Sequence, residues 1–398
     1  MTRPDFDVLI GGGGMVGAAL AALLASRTGP GQLRIALVEP RPTLMPLPQE
    51  PLDVRVSAVS RAGQRLLAEV GAWPLLSSRS PAAYEQMIVW DAQDPPDGPN
   101  ALVFDAAEIG EPDLGHIVEN QAIAASLIER AIALGVTLLR TPVVGLQLER
   151  DRAVVDLGER RVSTALVVAA DGAESPMRHL AGLRGDPTPY PQTAIVTHLR
   201  PEKPHGAAAR QRFLPGGPLA LLPLADGRVS LVWSLPPAQA NALMALNDDA
   251  FSSAVTAASD AVLGQLDVVA QRGSFPLRHF NAAHYAATRF VLVGDAAHAV
   301  HPLAGQGVNQ GFLDVLALAD EIVAERARRG DIGDPGPLGR YARARQADNA
   351  VFGAALDAIY RVYTDERAWI RGARRRLLGL AQRLGPVKQH LVSRALLG

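Results

Sequence analysis

The chain contains no cysteine, which excludes disulfides, thiolate metal sites and a cysteine nucleophile. Neither sign of charge prevails, and a formal net charge of −1 gives no basis for nucleic-acid binding. No apolar run reaches the roughly 20 residues that a membrane-spanning helix needs. Asp5 and Asp7 flank the first apolar stretch, unlike the basic start of a secretion signal. These absences predict a cytoplasmic protein, in solution or peripheral on the inner face of the membrane. Hydrophobic residues make up 48% of 398 positions, enough for two or more packed units.

Charge is unevenly spread. After Glu366 there is no acidic residue, while Arg367, Arg371, Arg374, Arg375, Arg376, Arg383, Lys388 and Arg394 follow. Subtracting those 8 cations from the net charge of −1 leaves the rest of the chain at −9. Leucines interleave with these cations, and Gly385-Pro386 divides them, so the segment reads as two short amphipathic stretches. Lipid docking, a dimer contact and a solvated helix covering the rest of the chain all suit that pattern.

The opening reads strand, glycine turn, helix, strand: Phe6 to Ile10, then Met15 to Ser26, then Leu33 to Val38, ending at Glu39. Gly12, Gly14 and Gly17 fit G-x-G-x-x-G in that context, which predicts a dinucleotide pyrophosphate at a helix N-terminus. Glu39 is placed to accept from a ribose diol, and its charge disfavours a 2′-phosphate. Ser60 is a predicted N-cap for a helix to Val70, stopped by Gly71, and a second helix is predicted over Glu119 to Leu134. Strands are expected near 136–139, 143–148 and 166–170, and again, antiparallel, over 194–199, 210–214, 220–224 and 229–233. Helices are expected over 306–328 and 338–363.

Two further segments carry chemistry. An apolar run from Leu166 delivers Asp171-Gly172, with Ser175 and Arg178 following; alone, such a pair is most often a turn. Phe290 to Val293 leads into Gly294-Asp295, and His301-Pro302-Leu303-Ala304-Gly305-Gln306-Gly307-Val308-Asn309 follows. Asp295 can accept from polyol hydroxyls, and the glycines let backbone approach a flat ring. The helix beginning near Gln306 aims its positive end at that ring. Together the three segments predict FAD. His298 and His301 lack converging acidic or imidazole partners nearby, so no metal is expected.

These residues resemble the flavoprotein aromatic hydroxylases typified by para-hydroxybenzoate hydroxylase. The run from His301 through Gly311 to Asp314 resembles the signature of the ubiquinone-biosynthesis hydroxylases, of the 2-polyprenyl-6-methoxyphenol hydroxylase type and its mitochondrial relative. Asp53-Val54-Arg55, Gly115 to Asn120, Arg212-Phe213 and Gly217 to Leu224 add to the match. The resemblance implies a Rossmann-like FAD-binding domain in an α/β fold, over 1–72, 106–180 and 277–350. It implies an inserted, mostly antiparallel β-sheet substrate domain over 73–105 and 181–276, and a C-terminal helical, basic segment over 351–398.

By the same resemblance Gly12, Gly14 and Gly17 hold pyrophosphate, Glu39 the adenosine ribose, and Arg55 neutralises phosphate. Asn120 stands where many relatives carry Gln, on the flavin chain. Asp295 binds the ribityl chain, and Pro302, Gly305, Gln306, Gly307, Val308 and Asn309 surround the ring. Asp171 and Arg178 belong to a motif used near both FAD and the nicotinamide donor. The implied reaction uses NADH or NADPH and O2 to hydroxylate a polyprenyl phenol through a C4a-hydroperoxyflavin, as a monooxygenase. The absence of a second glycine fingerprint implies transient binding of the hydride donor. No side chain is singled out as activating the phenol; Tyr190, His198, Arg212 and Trp233 read as core or surface. Leu219 to Leu224 suits a greasy pocket or a sheet core equally. A geranylgeranyl-reductase or halogenase relative, a non-catalytic flavoprotein subunit of a quinone-biosynthesis complex, and a homodimer stay open.

Overall fold

A computed structural model describes residues 3–29, 31–183, 185, 188–299 and 307–364. Its helices are α1 (Met15–Thr28), α2 (Arg61–Glu69), α3 (Asn120–Ala133), α4 (Pro176–Leu180), α5 (Pro237–Met244), α6 (Asp248–Ala258), α7 (Gly307–Ala327) and α8 (Pro335–Thr364).

One sheet is parallel at its centre. Its strands run Ala286–Ala287, Phe290–Leu292, Arg161–Ala169, Phe6–Gly11, Ile35–Val38 and Thr137–Leu139, in spatial order. Val8, Leu9, Ile10 and Leu166 through Ala169 are wholly inaccessible, because both faces of such a sheet are covered. Alanine-rich α1 fits between the sheet and its neighbours α3 and α7, with Ala18 through Leu24 fully buried. Ser60 caps α2 as its sequence predicts, its Oγ accepting from Gly63 N.

The second sheet has nine strands, antiparallel except where Ala208–Leu214 runs alongside Gln86–Asp91. Alternation divides its two faces. Ile195, Leu219, Leu221, Leu231 and Trp233 pack in one core with Phe251 and Val255 of α6. Ala209, Leu222, Leu224 and Val232 turn the other way, onto Ala58, Ala82, Tyr84 and Ile117 of a small third sheet. That third sheet joins Val56–Ser60, Gly115–Glu119 and Ala82–Tyr84. The α/β architecture with an additional, mostly antiparallel sheet is therefore as the sequence implies.

Several boundaries differ from the sequence reading. Trp73–Arg79, grouped there with the inserted sheet, is a 3-10 turn packed on α2 and α3, with Leu76 fully buried in the parallel-sheet core. Its prolines and serines disguise that anchor as a loop. The strand Gly273–Asn281 carries the large sheet past residue 276. Helix α8 runs unbroken through the boundary drawn at 350. Helices α5 and α6 add to the sequence reading, which names no helix over 237–258. The basic stretch beyond Glu366 lies outside the described residues.

Candidate functional site

Three motif segments leave the same edge of the parallel sheet. Gly11, Ala169 and Leu292 are register partners across adjacent strands, as are Gly11 and Val38. The glycine turn, Asp171, Gly294-Asp295 and Glu39 therefore all begin at the carboxyl ends of neighbouring strands, where ligands of open α/β sheets bind. Cross-links hold them: Ala170 N donates to Gly11 O at 2.8 Å, Gly12 N to Val38 O at 2.9 Å and Val293 N to Ala169 O at 3.0 Å.

Close backbone approach explains the glycines. A Cβ on Gly17 would lie 2.0 Å from Gly12 O, and one on Gly12, at φ +104°, 2.3 Å from Ala170 O. A Cβ on Gly311 would lie 2.5 Å from the Val16 side chain, and Gly294 also faces Val16. Val16, on the first turn of α1, thus packs between two residues of the late motif. Gly14 differs from these, being exposed with nothing within 4 Å of its Cβ position.

This edge suits FAD. Helix α1 has no side-chain N-cap and no acidic residue in its first turn, so its amides and dipole are free for phosphate. Gly13 N donates to Glu39 Oε2 at 2.8 Å and Arg41 N to Oε1 at 3.0 Å, leaving lone pairs on both oxygens for a diol. Asp295 is the one exposed residue in the otherwise buried run Val291–His298.

Other predicted contacts resolve differently. Asp171 gives its carboxylate to Ser175 Oγ and to Met177 N, and it borders the glycine turn through its backbone. Arg178 is wholly buried, its guanidinium 4.3 Å from the Phe280 ring centroid and donating to Ala296 O and Ala173 O. It ties the second motif to the third from inside. Asn309 likewise spends its amide on the small sheet, accepting from Ser60 N and donating to Ala58 O, both at 2.9 Å. Asn120 Oδ1 accepts from Ser57 Oγ at 2.7 Å. Arg55 is exposed, 6.0 Å from the Phe275 ring centroid, and remains available to phosphate. Gly307 is open and Val308 buried at the start of α7. Pro302, Gly305, Gln306 and His301 lie outside the described residues.

Two arrangements escaped the sequence. Arg79 pairs with Glu119 at 2.7 Å, both buried, and also donates to Leu47 O and Glu50 O. Asp53 N donates to the same Glu119, so the pair anchors the proline-rich connection just before Arg55. The second is a buried cluster in which Asp314 meets His298, Arg345 and Gly294 N. Arg79 and Arg345 look like solvated arginines in sequence, and no local signal marks them.

Beside Ala58, a narrow pocket opens between the small and large sheets, lined by Tyr84, Met87, Ala209, Arg210, Gln211, Ala220 and Leu222. Ala220 and Leu222 of the Leu219–Leu224 run line it, while Leu219 and Leu221 are core. Gln211 Oε1 is buried without a donor among the described residues. Burial, reinforced by Asp113, raises the Tyr84 phenol pKa, so it stays protonated. On the same face of the large sheet, His198 is fully buried opposite Ser230, and burial lowers its pKa to about 4.

The family model for FAD binding domain matches residues 5–347. The chain is 34% identical over 399 residues, all of both chains, to 3-demethoxyubiquinol 3-hydroxylase of Escherichia coli (strain K12). It is 35% identical to ubiquinone hydroxylase UbiL of Rhodospirillum rubrum, covering 98% of this chain and 89% of that one. Among solved structures it is similar to p-nitrophenol 4-monooxygenase PnpA from Pseudomonas putida DLL-E4, with a TM-score of 0.76 over 99% of this chain and 98% of that one. At 18% identity that likeness concerns the fold.

Proposed function

This chain belongs to the FAD binding domain family, and we propose that it is an FAD-dependent monooxygenase hydroxylating a polyprenyl phenol in ubiquinone biosynthesis. The observation that carries the reading is the convergence of the glycine turn, Glu39 and Asp295 on one sheet edge, in a chain whose full-length relatives bear ubiquinone-hydroxylase names.

The α1 amides would take the pyrophosphate, Glu39 the adenosine ribose and Asp295 the ribityl chain, with Arg55 adding positive charge. The flavin, when bound, supplies the redox chemistry that passes electrons from NADH or NADPH to O2 and delivers one oxygen atom to an electron-rich ring. The protein's own tasks are orientation, exclusion of water and control of the phenol proton. The gap beside Ala58, lined by Met87, Ala209, Arg210, Ala220 and Leu222, has a volume of only about 10 Å³, so the two sheets must part there to seat a substituted ring. Gln211 Oε1 is the acceptor there, and a hydrogen bond from the phenol to it raises electron density on the ring. Asn309, by fixing Ala58 O and Ser60 N, couples that seat to the start of α7.

The eight cations beyond Glu366 suit docking on anionic lipid, where a polyprenyl phenol resides. Truncation after Glu366 should then release the protein from anionic vesicles and leave FAD bound. The function itself is tested by deleting the gene: a prenylated ring lacking one hydroxyl should accumulate and be consumed when the gene is restored. A normal quinone profile would overturn the reading.

A further inference from the structure

Asp314 lies on α7, fully buried, and its two oxygens face different parts of the molecule. Oδ2 accepts from Gly294 N at 2.9 Å and meets His298 Nε2 at 2.5 Å. Oδ1 accepts from Arg345 Nε at 2.7 Å and Asn349 Nδ2 at 3.4 Å. Gly294 and His298 flank Asp295, the exposed carboxylate of the cofactor edge. A single buried oxygen therefore pins both sides of the loop that presents Asp295.

The other half of the arrangement comes from α8. Tyr341, Arg345 and Asn349 recur every four residues, so they share one helix face. Tyr341 OH donates to Leu292 O at 2.8 Å, at the end of the strand feeding the same loop. Arg345 also reaches Gln310 Oε1 at 3.2 Å and Asn349 Oδ1 at 3.0 Å. The Tyr285 ring stacks on His298, centroids 6.1 Å apart, and its hydroxyl lies 3.3 Å from Asn349 Nδ2. Each donor meets an acceptor across three elements, and removing Arg345 leaves a buried carboxylate without its cation. That carboxylate then keeps only His298, Gly294 N and Asn349 as partners among the described residues, which loosens the Gly294–His298 loop.

We infer that Asp314 and Arg345 are positioning residues for Asp295, and that α8 sets FAD affinity through them. The inference rests on the FAD reading above and names residues that reading does not use. Neither residue is given contact with the cofactor; both act through the loop.

The test compares Arg345→Met, Arg345→Lys and Arg289→Met in the full chain. Arg289 is buried in an ion pair with Asp331 at the far end of the strand that leads to Asp295, with no hydrogen bond to the Gly294–His298 loop among the described residues, so its variant reports lost stability without loss of the Asp314 link. Apoprotein is titrated with FAD by flavin fluorescence, its melting is recorded, and the midpoint potential of the bound flavin is measured. Arg345→Met should weaken FAD binding at least about tenfold and shift the potential, Arg345→Lys should recover part of both, and Arg289→Met should change only melting. FAD affinity within twofold of the parent for Arg345→Met, or equal losses of affinity in Arg345→Met and Arg289→Met, overturns the inference. If Arg345→Met does not fold, Asn349→Ala is the second variant: weakened FAD binding supports the inference and unchanged binding overturns it. A parent chain that takes up no FAD would instead defeat the reading on which the inference rests.

Discussion

Gly13 N donates to Glu39 Oε2 over 2.8 Å, joining a glycine turn to the carboxylate that ends the next strand. A Cβ on Gly13 would sit 2.7 Å from Glu39 Cβ, so position 13 has no room for a side chain beside Glu39. Glu39→Ala should weaken FAD binding about tenfold or more, the size of one or two charge-assisted hydrogen bonds. Titration of apoprotein with FAD checks this, and undiminished affinity would remove Glu39 from the ribose site.

Two glycines of the same turn should fail in different ways. In Gly17→Ala the new methyl meets Gly12 O at 2.0 Å, and overpacking against backbone should cost about 1–3 kcal/mol or more. In Gly14→Ala nothing lies within 4 Å. We expect Gly17→Ala to lower the melting temperature of apoprotein, and Gly14→Ala to spare melting but weaken FAD. Equal melting of the two variants would contradict the packing described.

His198 makes stability depend on pH. Buried and neutral, it titrates at about 4 instead of 6.5. As pH falls below 6.5 the unfolded chain binds a proton that the folded chain refuses. The stabilisation is therefore complete above the unfolded value and is lost toward pH 4, by about 3 kcal/mol. In His198→Gln that component should vanish, so urea unfolding at pH 6.5, 5 and 4 should show a shallower decline than the parent. Parallel declines would mean that His198 is protonated in the fold.

Gln211 lines the pocket beside Ala58 and brings to it an acceptor with no donor among the described residues. Gln211→Leu should reduce kcat/KM for the phenol about tenfold, the worth of one buried hydrogen bond, and leave FAD affinity unchanged. It should also raise the share of NAD(P)H oxidised without hydroxylated product. A variant with parental coupling and kcat/KM would exclude Gln211 as the phenol's acceptor.

The cofactor edge was legible because its determinants are short and contiguous. A strand, a tight turn and a terminal carboxylate each leave a local pattern, as at Gly12 to Gly17, Glu39 and Asp295. Sequence could not assign side chains whose partners lie far along the chain. Asn309 reads as a ring neighbour, yet its amide serves Ser60 and Ala58, some 250 positions away. Arg178 reads only as part of a motif near FAD and the nicotinamide donor, and its burial against Ala296 and Phe280 is not visible in the sequence. The four-residue spacing of Tyr341, Arg345 and Asn349 is visible in the sequence, but a polar helix face looks the same whether it meets solvent or a buried aspartate. Burial distinguishes these cases, and burial is set by the assembled sheets.

The most direct test supplies the purified protein with NADH or NADPH, 18O2 and a polyprenyl phenol in detergent micelles, and follows the product by mass spectrometry. The account predicts FAD bound to the protein and one 18O atom incorporated per molecule of hydroxylated ring. Purified protein that neither retains nor takes up FAD, or that oxidises NAD(P)H without labelled product, would contradict it.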